Sequence, residues 1–294
     1  METNCYKLKG QKMENGLLKK VSLGSLLCLL VVTAGCCINI GSCAMRAKYQ
    51  RTVQLSAPLS PGSSFAAQTH NGSITIAGAD VTDCNLTATI VAQAVTEEDA
   101  KKLAERIKIK LEPWGDRLTA KIDKPTFMRN QSVSVNLDVT VPNRSDLELT
   151  THNGEIRITD ITGQLNGTTH NGKVTAEQIS GTTELRTHNG SMICRQISGD
   201  TQLKTHNGGI KVFYSEDAPS VCNISLITYN GGIELTTPSS FSGEVDASTH
   251  NGSIRTDLPI TVVGKVSKSK LTGKIGTGQS KLHLETHNGS IKIQ

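Results

Sequence analysis

The sequence predicts an all-β fold: a single-stranded β-solenoid (β-helix) with one short helix near its N-terminal end. Three observations carry that expectation. The tetrapeptide Thr-His-Asn-Gly occurs seven times, starting at Thr69, Thr151, Thr169, Thr187, Thr205, Thr249 and Thr286, and an eighth copy at Thr228 reads Thr-Tyr-Asn-Gly. From Thr151 to Thr205 the copies recur every 18 residues, which marks one structural unit stacked on itself. Glycines recur every nine residues from Gly154 to Gly208, alternating between Asn-Gly corners and Ser-Gly or Thr-Gly corners. The residues between corners alternate as strands do.

Each 18-residue unit therefore reads as strand, corner, strand, corner. Asn153, Asn171, Asn189 and Asn207, with Gly154, Gly172, Gly190 and Gly208, form one set of corners. Thr162, Ser180 and Ser198, with the glycines after them, form the other. Glycine and asparagine tolerate the positive φ of a sharp corner. Before the corner, Leu147, Leu149, Thr151 and Asn153 share one face, and Glu148, Thr150 and His152 the other. After it, Ile156 and Ile158 point in while Glu155 and Arg157 point out; Met192 and Cys194, then Ile210 and Val212, repeat the pattern. An antiparallel meander with Asn-Gly hairpin turns satisfies the same alternation. The coil is preferred because it closes its apolar face on itself, and because aromatics, at 3% of residues, suit a narrow interior.

In chain order, residues 1–35 read as a signal peptide, with Met13 as a second candidate start, residues 36–60 as a tether, and residues 61–294 as the solenoid domain. Lys19 and Lys20 precede the apolar run Leu23–Val32, and Thr33-Ala34-Gly35 leads to Cys36. This resembles a bacterial lipoprotein signal, which implies lipidation at Cys36 and attachment to a membrane. A retained anchor reaching Ile40 and plain secretion are the alternatives, and all three export the repeat domain. Thr96 and the acids after it read as the capped start of a helix over about 97–106. Strands follow at Ile107–Leu111, Leu118–Ile122 and Val133–Val141, and the regular repeats span about 147–212. Later copies step by 23, 21 and 37 residues, so insertions such as Tyr214–Cys222 are expected to form loops along one face, where binding variation resides.

An acid-started helix, alternating strands ending at Val141-Pro142, and a recurring Leu-x-Leu-x-Thr-x-Asn-Gly-x-Ile resemble the adhesin-like family DUF4097 over roughly Ser64–Gln294. The resemblance implies a β-helix on the bacterial cell envelope and brings no catalytic residues with it.

Composition excludes some classes. The net charge is +5, of which the leader supplies +3, and no basic run with interleaved aromatics is present, which argues against nucleic acid as a partner. Of the eight cysteines, Cys5 and Cys28 lie in the leader and Cys36, Cys37 and Cys43 cluster after it. Cys194 reads as a small core residue, and Cys84 and Cys222 as candidates for a disulfide with no partner fixed by spacing. The acids Glu155, Asp160, Glu177, Glu184, Asp200, Glu234, Glu244 and Asp246 form no obvious catalytic pair, and no nucleophile elbow or metalloprotease motif occurs.

If like corners stack, His152, His170, His188 and His206 form an outward column. Three readings follow: structural stacking, a zinc or copper site, and a pH-sensitive surface. Tyr229, in a histidine position, favours stacking, since it keeps the planar ring and loses the ligating nitrogens. The asparagines above them are expected to form an amide ladder. The function expected is a non-catalytic envelope lipoprotein offering a surface for adhesion, scaffolding or sensing toward an envelope or extracellular ligand, with no cofactor. Metal or polyanion binding through the histidines is the alternative, and a carbohydrate-active β-helix enzyme the third reading.

Overall fold

The structure is a computed structural model that describes residues 47–125, 130–262 and 267–294. The leader, Met13, the lipidation candidate Cys36, the neighbouring Cys37 and Cys43, and residues 36–46 of the expected tether lie outside the described residues. Among the described residues, two parallel-rich sheets of 11 and 12 strands and one helix make up the fold.

Through the regular repeats the chain alternates between the sheets. Asp146–Asn153, Leu165–Asn171, Thr183–Asn189 and Thr201–Asn207 lie in one sheet; Ile156–Thr162, Val174–Ser180, Met192–Ser198 and Ile210–Tyr214 lie in the other. Neighbours within a sheet are parallel, so Leu147, Leu165, Thr183 and Thr201 stand in one row, as do Ile156, Val174, Met192 and Ile210. An Asn-Gly hairpin would have paired Asp146–Asn153 with Ile156–Thr162 in one sheet. The meander is thus excluded: the corner carries the chain from one sheet to the other. The inward Leu, Ile and Val rows of both sheets form one continuous buried core.

The second strand of each repeat holds a feature the alternation did not reveal. Asp160, Gln178 and Gln196 occupy the left-handed region, at φ of 59°, 55° and 52°. Each lets the strand skip a residue, so that Ile161, Ile179 and Ile197 turn back into the core.

Both ends depart from the simple winding. The strand Ala47–Pro58, inside the expected tether, pairs antiparallel with Asp83–Ala94, which pairs with Ser132–Pro142. The helix, α1 (Glu97–Arg106), is capped by Thr96, whose hydroxyl accepts from the Asp99 amide at 3.1 Å. It packs on Ala47–Pro58 and Asp83–Ala94 through Ala100, Leu103 and Ala104, at the N-terminal end as the sequence suggests. At the other end, Ser280–Asn288 and Ile291–Ile293 insert between the Ile224–Thr236 strands and the Gly243–Thr256 strands. The tetrapeptides therefore stack in the order 69, 151, 169, 187, 205, 228, 286, 249. Lys270–Ile275 lies antiparallel on Gly243–Asn251, and Thr261–Val262 on that, so the outer edge is covered while the chain returns inward. The insertion after Tyr214 folds back: Ala218 and Cys222 are buried, and the Tyr214 hydroxyl donates to Gly199 O at 3.0 Å and lies 2.7 Å from Thr201 Oγ1.

Candidate functional site

Each residue of the tetrapeptide has a separate physical task. The threonine points inward and is buried in all eight copies. In seven copies its hydroxyl donates to the corner glycine carbonyl of the neighbouring repeat, as Thr151 to Gly72 at 3.0 Å, Thr169 to Gly154 at 3.0 Å, Thr187 to Gly172 at 3.1 Å and Thr228 to Gly208 at 2.8 Å, while Thr69 donates to Val135 O at 3.2 Å. A buried carbonyl that the strand ladder leaves over is satisfied in this way.

The asparagines form the expected ladder. Asn171 Nδ2 donates to Asn153 Oδ1 at 2.8 Å, Asn189 to Asn171 and Asn207 to Asn189 at 2.7 Å each. The chain of amides continues from Asn71 through Asn230 and Asn288 to Asn251.

The glycines serve close approach more than φ. A Cβ on Gly154, Gly172, Gly190 or Gly208 would overlap the carbonyl oxygen of the equivalent glycine one coil back. Among the described asparagines only Asn130, outside the motifs, has positive φ, which corrects the expectation that these corners need it at asparagine. The Ser-Gly and Thr-Gly corners do use it: Gly163, Gly181 and Gly199 sit at φ of 151°, 119° and 125°.

The histidines project outward and stack. His70, His152, His170, His188, His206, Tyr229, His287 and His250 form one unbroken column, with centroids 4.6–4.9 Å apart and planes within 24° of parallel. The spacing is that of the strands beneath. The four histidines considered as metal ligands, His152, His170, His188 and His206, are consecutive in this column. Imidazole lone pairs lie in the ring plane, so in a parallel stack they point outward side by side and do not converge between rings, as ligands of one zinc must. Among the described residues no group of three or more His, Cys, Asp or Glu is arranged to hold a metal ion. His70, at the N-terminal end, titrates below the ordinary 6.5 because of partial burial, then Lys124 and His152. His283, outside the motifs, stands 3.7 Å from Asp246 and 3.6 Å from Glu285.

A shallow groove follows the column. One half runs from His70 to His188, the other from His188 to His250, and both include Arg186, Thr187 and His188. Lys121 and Lys124 line the first half; Lys204 and Glu285 line the second. Sequence alternation placed the rings; it missed the basic wall, whose signal was the pair Arg186 and Lys204, each two residues before a motif histidine.

Four of the acids weighed as catalytic candidates are paired with bases: Glu155 with Arg157 at 3.0 Å, Glu184 with Arg186 at 2.6 Å, Glu234 with Lys211 at 2.8 Å, and Glu244 with Lys274 at 3.1 Å. Cys84, Cys194 and Cys222 are buried free thiols. Burial pushes Cys84 and Cys194 up to about 12 and Cys222 to about 11. Neutral, enclosed thiols of this kind are poor nucleophiles.

A parallel-rich stack of two sheets, with a helix at one end and one column of rings, defines a repeat-built, all-β protein. The chain belongs to the Toastrack DUF4097 family, whose model matches residues 40–294. Similar solved structures include a candidate cell adhesion protein from Clostridium sporogenes, 12% identical with a TM-score of 0.36, the match covering 83% of this chain and 99% of that one. A candidate adhesin from Bacteroides fragilis is 11% identical with a TM-score of 0.39, covering 83% and 97% of the two chains. Another, from Parabacteroides distasonis, is 8% identical with a TM-score of 0.39, covering 84% and 97%. No curated protein matches significantly.

Proposed function

We propose that the chain is an exported envelope lipoprotein whose β-solenoid, wound in coils of about 18 residues with Asn-Gly and Ser/Thr-Gly corners, presents a rigid non-catalytic face for adhesion or envelope scaffolding. The observation that carries this reading is the unbroken column of eight rings beside a continuous amide ladder. Together they fix a flat polar face about 33 Å long, at the spacing of the strands beneath. Such a face loses little entropy on binding, because its side chains are already held. Repetition of one chemistry along the face suits an extended partner, whereas catalysis needs unlike groups converging at one point. The ion-paired acids and the enclosed thiols supply no such point. Membership of the Toastrack family, whose solved relatives carry adhesin descriptions, agrees with this role.

Two experiments test the reading. Metabolic labelling with a fatty-acid analogue should mark the full-length protein and not Cys36→Ser; equal labelling of both would remove the lipid anchor from the account. Cells displaying Arg186→Glu with Lys204→Glu should attach to their surface less well than wild type at equal display. Unchanged attachment would show that the ring face is not the binding face.

A further inference from the structure

We propose that the groove beside the ring column binds a linear anionic polysaccharide, lying parallel to the stack, with its acidic groups on Arg186 and Lys204 and its hydroxyls on the imidazole edges. This rests on the surface function proposed above and names its ligand class.

The shape comes first. The groove is open, shallow and as long as the column, which suits a polymer and gives a compact ligand nothing to enclose it. The orientation of the rings then decides the chemistry. Both faces of the six inner rings are occupied by neighbours at 4.6–4.9 Å, so along the column it is their edges that meet solvent. A single-stranded nucleic acid binds by stacking its bases on free aromatic faces, and the six inner rings of the column present none. Imidazole edges offer a nitrogen donor or acceptor at each step, which matches sugar hydroxyls and carboxylates.

Charge selects an acidic glycan over a neutral one. Lys121, paired with Glu112 at 3.3 Å, and Lys124 line the groove near His70, and Arg186 and Lys204 stand on adjacent strands in its middle. Glu285 is the acid lining the groove, and it lies toward the far end. Glu184, outside the groove lining, accepts from Arg186 Nε and Nη2 at 3.0 and 2.6 Å, which leaves the remaining guanidinium N–H groups for a ligand. Arg186 lies four strands along the sheet from Lys121, roughly 19 Å at the strand spacing, so the polymer needs acids recurring along its length.

The same histidines tie binding to pH. Imidazole changes charge between about pH 5 and 8, so acidification turns the edges into donors only and adds positive charge along the groove. The groups beside them are Tyr229 in the column and Lys121, Lys124, Arg186, Lys204 and Glu285 in the groove.

The test uses the full-length protein in detergent and polygalacturonate as probe, titrated calorimetrically, with dextran and a single-stranded oligonucleotide as comparisons. Binding of polygalacturonate but not dextran, tightening about tenfold from about pH 8 to about pH 5.5, is expected. Arg186→Gln with Lys204→Gln should weaken it about tenfold at both pH values. His188→Gln with His206→Gln should flatten the pH dependence; the Arg/Lys pair, outside the stack, keeps the test open if that variant fails to fold. No polygalacturonate binding, equal binding of dextran, or tighter binding of the oligonucleotide would overturn the proposal. Cells that still attach through the ring face, with protein that ignores polygalacturonate, would refute this ligand class and leave the surface function standing. Loss of both would refute both.

Discussion

Tyr229 stacks on His206 with ring centroids 4.9 Å apart and planes 6° from parallel, and its other face meets His287 at 4.6 Å and 3°. The column continues through a residue that lacks imidazole nitrogens, so stacking is what the position preserves. Tyr229→His should therefore change stability by less than about 0.5 kcal/mol, the range of neutral surface substitutions. Tyr229→Ala breaks two ring contacts and should cost about 1–2 kcal/mol. Chemical denaturation separates them; a Tyr229→His loss as large as that of Tyr229→Ala would sink the stacking account.

Much of this face was legible in the sequence, because an 18-residue period fixes the columns once neighbouring coils are parallel. Thr, His and Asn fall inward, outward and at the corner by alternation alone. Three features were not legible. The Asp160, Gln178 and Gln196 column carries neither Gly nor Asn, and its signal is only the spacing of the inward residues, as in Ile156, Ile158 and Ile161. The placement of Thr286 between Thr228 and Thr249 depends on where the chain returns, which irregular steps do not encode. Ala47–Pro58 alternates through Val53, Leu55 and Ala57, yet its partner Asp83–Ala94 is distant and antiparallel, so nothing local distinguishes it from a tether.

The corner glycines should divide by mechanism. Gly172→Ala places a Cβ on the Gly154 carbonyl oxygen, which belongs to a corner held in place by the Gly154 N–H bond to Asn171 O and the Thr169 hydroxyl. A loss of at least about 3 kcal/mol is expected. Gly62 has φ of 91° but open space around it, so Gly62→Ala should cost only the left-handed backbone term, about 1–2 kcal/mol. Equal losses for the two would mean that φ, not contact, governs both.

Burial should rank the two hydrogen-bonding columns. Thr151 is buried and its hydroxyl satisfies the buried Gly72 O at 3.0 Å, so Thr151→Val strands a carbonyl away from water. The expected cost is about 2 kcal/mol. Asn171 is exposed, donating to Asn153 and accepting from Asn189, and water replaces what Asn171→Ala removes. About 1 kcal/mol is expected there. The reverse order in urea unfolding would show that the amide ladder, and not the buried hydroxyls, holds the corners.

Stability should fall on both sides of neutrality, for different groups. His70 titrates below 6.5 in the folded chain, so below 6.5 the unfolded state binds the proton first and stability is lost as pH falls. Cys84, Cys194 and Cys222 ionise near 9.0 when unfolded but only near 12, 12 and 11 when folded. Above pH 9.0 the unfolded state releases protons that the folded state keeps, and stability drops from there toward pH 11–12. Cys194→Ala should flatten part of the alkaline limb in melting experiments, and His70→Gln part of the acid limb. Limbs that keep their slopes in these variants would assign the pH dependence to other groups.

The order of coils makes an unusual demand of the C-terminus. Ser280–Asn288 and Ile291–Ile293 are flanked on both sides, so removing residues 280–294 excises an inner coil and not an end one. In a stack stabilised by nearest neighbours, two interfaces are lost and the Gly243–Thr256 strands are left without a partner on that side. The truncated chain should become protease-sensitive across residues 238–279, while 47–214 stays resistant, because the coils from His70 to His206 keep all their contacts. Its thermal transition should split or fall well below that of the full chain. A truncated protein that melts in one transition at the original temperature, with residues 238–279 still protected, would mean that the Gly243–Thr256 strands had docked directly on Ile224–Thr236, and that the inserted coil is not what holds them.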